Sequence, residues 1–429
     1  MTPTSSEPSV ALPRLGVLYN PRTVEILSLA RVSPGRWRTV WLVDRELNAQ
    51  VGARRLLRRF GEVIDITGLS MAEAATCITE PLDGILATND PDLVRAAELA
   101  EQLGLPHFCP AQVARLNDKF LQRQALQAAG LPTPGCVRIP AGMSLDAAVA
   151  AVAGLSYPAI LKPAHGASSR ATYAVSNADE VGQRFAERLD YPSEDFVVEE
   201  RIPDGWAPAD SPWADYLSVE SLAVDGEITH FGITGRGQLA EGFRETASIM
   251  PPALAPAEWP ALYGLATAAI RGLGLSSGVF HTEIKLSADG PRVLEVNGRL
   301  GGGSISWLAE RVSGYSLLAA AGLVNLGRPP APVPVPVPVP ANTNGVGFAV
   351  YVQPPYEARE VVDITGADEV RAIPEVDELV LTRRPGDQVN PPEEGSQSVV
   401  AIIRGLAADH VRVAELLAQI EKSLQFSYR

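Results

Sequence analysis

VFHTEIKLSADGPRVLEVNGR, residues 279–299, reads as two alternating strands on either side of Ala288, Asp289 and Gly290. A three-residue loop with glycine in the left-handed position is a common hairpin connection. In that register Glu283 stands opposite Glu295 and His281 opposite Asn297, while Ile284 and Leu286 join Leu294 and Val296 on a core face. Two carboxylates facing each other destabilise a strand pair unless a positive charge neutralises them. Mg²⁺ does so with oxygen ligands, taking a few protein carboxylates and leaving the other positions to phosphate and water. Glu283, Glu295 and Asn297 offer that donor set, with Glu295 placed to bridge two ions; the alternative is a solvent-facing polar surface whose acids happen to pair.

Arg299 leads into Gly301, Gly302, Gly303 and Ser304, then into ISWLAERVS, a helix that stops at Gly314. Ser304 suits an N-cap, and the small residues before it either leave backbone N–H groups open to an anion or simply let the loop turn. Arg299 adds a permanent fork-shaped charge. Upstream, Leu155 to Pro163 reads as a strand presenting Lys162, and the following AHGASSR, residues 164–170, offers main-chain donors to phosphate oxygens. Taken alone, this is also how an ordinary strand enters a turn. A β-like run, Phe196 to Ile202, carries Glu199 and Glu200. No GxxxxGK[ST], HRD or DFG sequence occurs.

The first hundred residues alternate apolar runs at 15–19, 39–43, 63–66 and 84–87 with helical patterns at 48–60, 70–79 and 90–103, the last opened by Asp90 and Pro91. Such alternation predicts an open parallel α/β sheet. The first strand runs into Tyr19, Asn20 and Pro21 in place of a GxGxxG turn, so no dinucleotide cradle is expected there. A helix from Asn117 ends at Gly130, and others are expected near 256–272 and at 407–423. PPAPVPVPVPVP, residues 329–340, loses every second backbone donor to proline and reads as a polyproline spacer.

With 429 residues, 46% of them apolar and 20% charged, the chain has material for two to four structural units. Thirty-six basic against fifty acidic residues leave a formal charge of −14, which disfavours nucleic acid and anionic membrane as partners. Three cysteines outside any CxxC spacing suggest neither a disulfide framework nor a thiolate zinc site, and fit a reducing cytoplasm. The first residues lack a basic stretch followed by an apolar core, and no apolar run reaches the ~18 residues of a membrane span, so an unprocessed soluble chain is expected.

The ordered series of Asn117-Asp118-Lys119, Lys162-Pro163 with its Gly/Ser loop, Glu199-Glu200, Glu283 and the EVNGR of 295–299 resembles the ATP-grasp superfamily, over about residues 14–425. Within it, EVNGRLGG is most similar to the L-amino-acid ligase group. The resemblance implies an α/β fold with α+β lobes clamping ATP. Its parts would be a preATP-grasp sheet over 1–115, a core over 116–328 with a lid at about 134–202, a linker at 329–341 and a C-terminal domain at 342–429. Lys119 and Lys162 would contact phosphates beneath a flap including Gly166, Ser168 and Ser169. Glu199, Glu200 and Ile202 would border adenine, and Asp215 or Glu220 would bind ribose, the choice clouded by an insertion-like loop at 203–213. Glu283, Glu295 and Asn297 match the metal ligands, for two Mg²⁺ with Mn²⁺ able to substitute. Arg299 matches the arginine that steadies an acyl phosphate, helped by Gly301, Gly302, Gly303 and Ser304 on the substrate side. His281 is either a base toward the amine or a neighbour that orients the site, and Glu245 either holds an α-ammonium group or is a surface acid. Gly303 is expected to leave a roomy acceptor pocket.

The implied activity is ATP-dependent amide formation between an amino-acid carboxylate and an amine, both small molecules, by a cytoplasmic enzyme for which a homodimer is compatible. A related ligase or carboxylase using bicarbonate or a nucleotide precursor, and a non-catalytic ATP sensor, are the alternatives.

Overall fold

The computed structural model describes residues 11–20, 26–44, 53–187, 193–205, 211–332 and 345–429. Pro21, the start of the 48–60 helix, residues 206–210 and most of the proline spacer lie outside them. The chain divides into two units, Met1–Pro110 with Leu318–Ala331, and Ala111–Leu317 with Pro332–Arg429.

The first unit contains β1 (Arg14–Leu18), β2 (Arg38–Val43), β3 (Glu62–Asp65) and β4 (Gly84–Leu86). They form the expected parallel sheet in the order β3-β2-β1-β4. β1 is buried along its whole length, as a strand covered on both faces must be. The helix Asp90–Leu103 is capped by Asn89, not Asp90: the Asn89 side chain accepts from Asp92 N–H, and Pro91 falls inside the first turn, where no donor is needed.

The second unit holds two sheets that build the site. The smaller contains β5 (Cys136–Ile139), β6 (Ala159–Pro163), β7 (Tyr173–Val175) and β8 (Phe196–Glu200) in the antiparallel order β5-β8-β6-β7. Its core packs Ile139, Leu161, Val175, Phe196 and Val198 against Ala148, Val152 and Val181 from two helices.

The larger sheet has eight strands. These are β9 (Trp213–Val224), β10 (Glu227–Gly237), β11 (Ala247–Met250), β12 (Gly278–Ser287), β13 (Gly290–Asn297), β14 (Val346–Val352), β16 (Val376–Leu381) and β17 (Ala401–Ala407). Their order is β13-β12-β9-β10-β11-β14-β17-β16, so strands from the C-terminal residues continue the sheet. β15 (Val361–Thr365) and β18 (Gln425–Tyr428) pair separately. The C-terminal helix, His410–Ser423, starts later than its apolar pattern suggests because Ala407 closes β17 and Asp409 caps the helix by accepting from Arg412 N–H. It buries Val413, Leu416 and Ile420 against Phe348 and Ile403.

On one face of the large sheet, Leu217, Val219, Ile233 and Ile284 pack under Trp259, Leu262 and Ala266 of the helix Trp259–Gly272. Full burial of such a side chain contributes about 2 kcal/mol, which fixes strand register on this side. The alternate residues Ser218, Glu220, Thr234, Arg236, His281 and Glu283 therefore share the other face.

Candidate active site

The hairpin pairs Glu283 with Glu295 and His281 with Asn297, as its pattern predicts. Below Glu283 the register slips: Ile284 faces Val293 and Ser287 faces Gly290, leaving a two-residue turn in place of the expected three. The extra residue is absorbed as a bulge, so Val293 takes the core position expected of Leu294.

His281 ties this face together. Its Nδ1 lies 3.0 Å from both Glu220 carboxylate oxygens, and its Nε2 lies 3.3 Å from Glu283 Oε1. Burial alone would lower the imidazole's pKa, but Glu220 and Glu283 raise it to about 9. Burial likewise works against the Glu283 carboxylate, which His281, Arg236 and Arg299 nevertheless hold at about 2. A ring that keeps its proton between two carboxylates suits the orienting role better than that of a base.

Glu220, with Ser218 Oγ donating to it at 2.7 Å, is buried within this cluster, and its pKa is lowered because His281 and Ser218 outweigh desolvation. Asp215 lies elsewhere, 2.6 Å from Lys285 Nζ and accepting from Gly205 N–H at 3.2 Å, beside the chain that leaves β8. Of the two candidate ribose acids, Asp215 is the one beside the residues that follow Glu199 and Glu200.

The helix Lys119–Ala128 docks on the edge strand β13. Gln122 donates to Val296 O at 2.9 Å and accepts from Val296 N–H at 2.8 Å, satisfying backbone that an edge would leave open. One turn earlier, Lys119 Nζ is 3.4 Å from Glu295 and donates to Gly166 O at 2.7 Å. One turn after Lys119, Arg123 Nε meets Glu199 Oε1 at 2.8 Å, while its other nitrogens reach the carbonyls of Val293 and Leu294 at the bulge. Lys162 Nζ is 2.6 Å from Glu199 Oε2. Desolvation opposes the Glu199 charge, yet Arg123 and Lys162 bring its pKa down to about 2. Glu200 turns the other way and accepts from Gly135 N–H and Ser156 N–H, so its carboxylate braces the small sheet; Ile202 follows, half-buried. Arg123 escaped the sequence reading, although its i+4 spacing from Lys119 places both on one helix face.

Gly166, Ser168 and Ser169 all have positive φ in the loop after β6. His165 is exposed, with Nε2 3.5 Å from Asp118.

On the substrate side, Arg299 is buried, donating to Leu300 O at 3.0 Å and lying 3.5 Å from Asn297 Oδ1. A Cβ on Gly301 would come within 2.7 Å of His281 Nδ1 and 3.1 Å of Glu220, whereas Gly302 borders open space. Gly303 does not enlarge a pocket: a Cβ there would lie 2.6 Å from the Tyr351 hydroxyl, which fills that space. Ser304 is no side-chain cap either. Its N–H donates to Tyr351, which removes that donor from the loop's anion-binding capacity, and its hydroxyl accepts from Arg404. Glu245 accepts from buried Arg236 at 2.9 Å and from Tyr216 at 3.1 Å, so its charge is partly balanced from within. Arg236 carried no motif in the sequence; only its place on β10 opposite the acids reveals it.

No three His, Cys, Asp or Glu side chains gather as a metal cage among the described residues. Two opposed carboxylates with an amide oxygen nonetheless fit a hard cation that takes its other ligands from phosphates. No helix among the described residues is long and apolar enough to cross a membrane.

Residues 356–429 match the L-amino acid ligase C-terminal domain 2 family. Over 267 residues the chain is 31% identical to human (Homo sapiens) carnosine synthase 1, covering 58% of this chain and 31% of that protein. Over 250 residues it is 27% identical to alanine–anticapsin ligase of Bacillus subtilis strain 168, covering 55% of this chain and 52% of that one. The chain thus spans about a third to a half of the length of these relatives. The crystal structure of L-amino acid ligase from Bacillus licheniformis superposes with a TM-score of 0.77 at 19% identity, covering 98% of this chain and 100% of that one. N5-carboxyaminoimidazole ribonucleotide synthetase from Thermotoga maritima gives 0.67 at 16% identity, over 97% and 100%. The chain therefore has the ATP-grasp fold of these solved structures, and its residues 356–429 are similar to the L-amino acid ligase C-terminal domain 2 family.

Proposed function

We propose that the protein is an ATP-dependent ligase that joins an amino acid or related carboxylate to an amine through an acyl phosphate, releasing ADP and phosphate. The observation that carries this reading is Glu283 facing Glu295 across the hairpin, with Asn297 and Arg299 beyond them and Lys119 on Glu295. The names of two relatives, carnosine synthase and alanine–anticapsin ligase, support an amino-acid substrate.

In this reading Lys119 and Lys162 bind the ATP phosphates, Lys162 exchanging Glu199 for a phosphate oxygen, while the backbone from Glu199 to Ile202 borders adenine. Asp215 is the ribose acid. Glu283, Glu295 and Asn297 would hold Mg²⁺, two ions in all, with Mn²⁺ able to substitute; bound there, the metal supplies positive charge against the phosphates. The substrate carboxylate attacks the γ-phosphorus and the bond to the β-phosphate oxygen breaks. The neutral amine nitrogen then attacks the acyl carbon, the acyl carbon–oxygen bond to phosphate breaks, and the proton lost by the nitrogen leaves with the phosphate. Arg299 and the amides of 301–303 face the oxyanion formed in that step, the kind of fixed field worth several kcal/mol. Protonated His281 keeps Glu220 and Glu283 in place, and Glu245, steadied by Arg236 and Tyr216, receives the ammonium group of an amino acid.

The test is phosphate release from ATP and Mg²⁺ across single amino acids and pairs, with mass spectrometry of the products. Release should need a pair, yield a product one water lighter than the sum of the two substrates, and vanish in Glu295→Ala. Release with ATP alone, or unchanged release in Glu295→Ala, would overturn the reading.

A further inference from the structure

The phosphate loop after β6 is held by residues more than two hundred positions away. Ala171 N–H donates to Glu393 O at 2.8 Å, and Ser396 N–H donates to Ser168 O at 2.8 Å. Ser168, Ser169 and Ala171 have φ of 62°, 59° and 46°, left-handed conformations costing about 1 kcal/mol each outside glycine, so their surroundings must impose them. Gly395, between the two bonded residues of the turn, has φ 63° and ψ −137°, and a Cβ there would lie 1.8 Å from Ser168 O and 2.8 Å from Ser169 C. Those are backbone atoms, which cannot yield as a side chain can; only glycine permits this approach.

The same turn also grips the amino-acid side. Ser396 Oγ accepts from Glu245 N–H at 3.2 Å, and Ser398 donates to Gln353, whose amide donates to Glu245 O at 2.7 Å. On the opposite flank, Lys119 donates to Gly166 O, so the loop so held lies against the phosphate-site lysine.

We propose that the turn at 393–396 is the footing of the phosphate loop, with Gly395 as a positioning residue that lets the loop's backbone seat against it; this rests on the ligase reading above. The C-terminal residues then order the loop before nucleotide arrives, so less of the binding energy is spent on fixing it, and they set it against the strand bearing Glu245.

The test compares backbone hydrogen exchange of residues 165–172 in the full wild-type chain and in Gly395→Ala, alongside the affinity of each for the Mg²⁺ complex of a non-hydrolysable ATP analogue. Gly395→Ala should speed exchange of this loop at least tenfold, weaken the analogue at least fivefold and raise the KM for ATP more than it lowers kcat, while β9, β10 and β12 exchange as before. A folded Gly395→Ala with wild-type loop exchange, or a released loop with unchanged analogue affinity, overturns the proposal. Should that variant not fold, the wild type decides: a protected Ala171 amide supports the footing, and exchange at the free-chain rate overturns it. Failure of the ligase reading shows separately, as wild-type protein that releases no phosphate with any substrate pair whatever its loop exchange.

Discussion

Replacing Arg123 by methionine should destabilise the second unit by about 3 kcal/mol at pH 7. Arg123 and Glu199 side chains are only 4% and 6% exposed, so the substitution strands a carboxylate in the interior with Lys162 as its remaining cation and leaves the Val293 and Leu294 carbonyls short of a donor. Breaking one side of a buried pair costs roughly 3–5 kcal/mol. The pKa sets the scale of the charge contribution: a fall from 4.5 to about 2 in the folded state, at 1.36 kcal/mol per pH unit, is worth about 3 kcal/mol, shared between Arg123 and Lys162, with the orphaned Val293 and Leu294 carbonyls adding to what Arg123→Met loses. Because the folded pKa is lowered, this stability is present above about pH 4.5 and disappears as pH falls toward 2. Urea unfolding at pH 7 and at pH 4 should therefore show the gap between wild type and Arg123→Met narrowing at the lower pH. Arg123→Met combined with Glu199→Met should recover much of the loss, since no buried carboxylate is then left unpaired. A single variant costing under about 1 kcal/mol at pH 7, or a double variant as unstable as the single one, would refute the argument.

Gly301→Val should lower kcat about 100-fold, because its side chain would displace His281 and Glu220 and with them the carboxylate of Glu283; phosphate-release kinetics check this. Cys77 and Cys109 are exposed and should react rapidly with a maleimide at pH 8. Cys136, whose thiol burial and Glu199 push up to about 12, should lag well behind, as mass spectrometry of timed samples would show. Asp409→Ala should remove the cap of the last helix and cost about 1 kcal/mol in urea unfolding.

Local chemistry explains what could be read in advance. The parallel sheet of the first unit announced itself because each buried strand is a short apolar run between helical patterns. Glu283 and Glu295 could be paired because the two strands share one hairpin and their apolar residues permit few registers. The bulge below them was hidden: it exchanges Leu294 for Val293, two residues the pattern treats alike. Arg236 and Arg123 were hidden for another reason, since a lone arginine on a strand or helix looks like surface until the fold supplies a buried acid. The Tyr351 hydroxyl against Gly303, and Glu393 and Ser396 against the phosphate loop, join positions far apart in the chain through backbone or single side-chain contacts that leave no periodic trace.

The place of β14 between β11 and β17 also bears on how the chain is made. The second unit cannot finish its sheet from residues in one continuous run: β11 pairs with β10 on one side and waits for Val346–Val352 on the other. During synthesis, Ala247–Met250 must stand as an open strand edge while roughly a hundred further residues emerge, at about 5–20 residues per second. A chain cut short before residue 346 would keep that edge permanently and be prone to pair with its own kind, so truncation should yield aggregates before it yields a smaller enzyme.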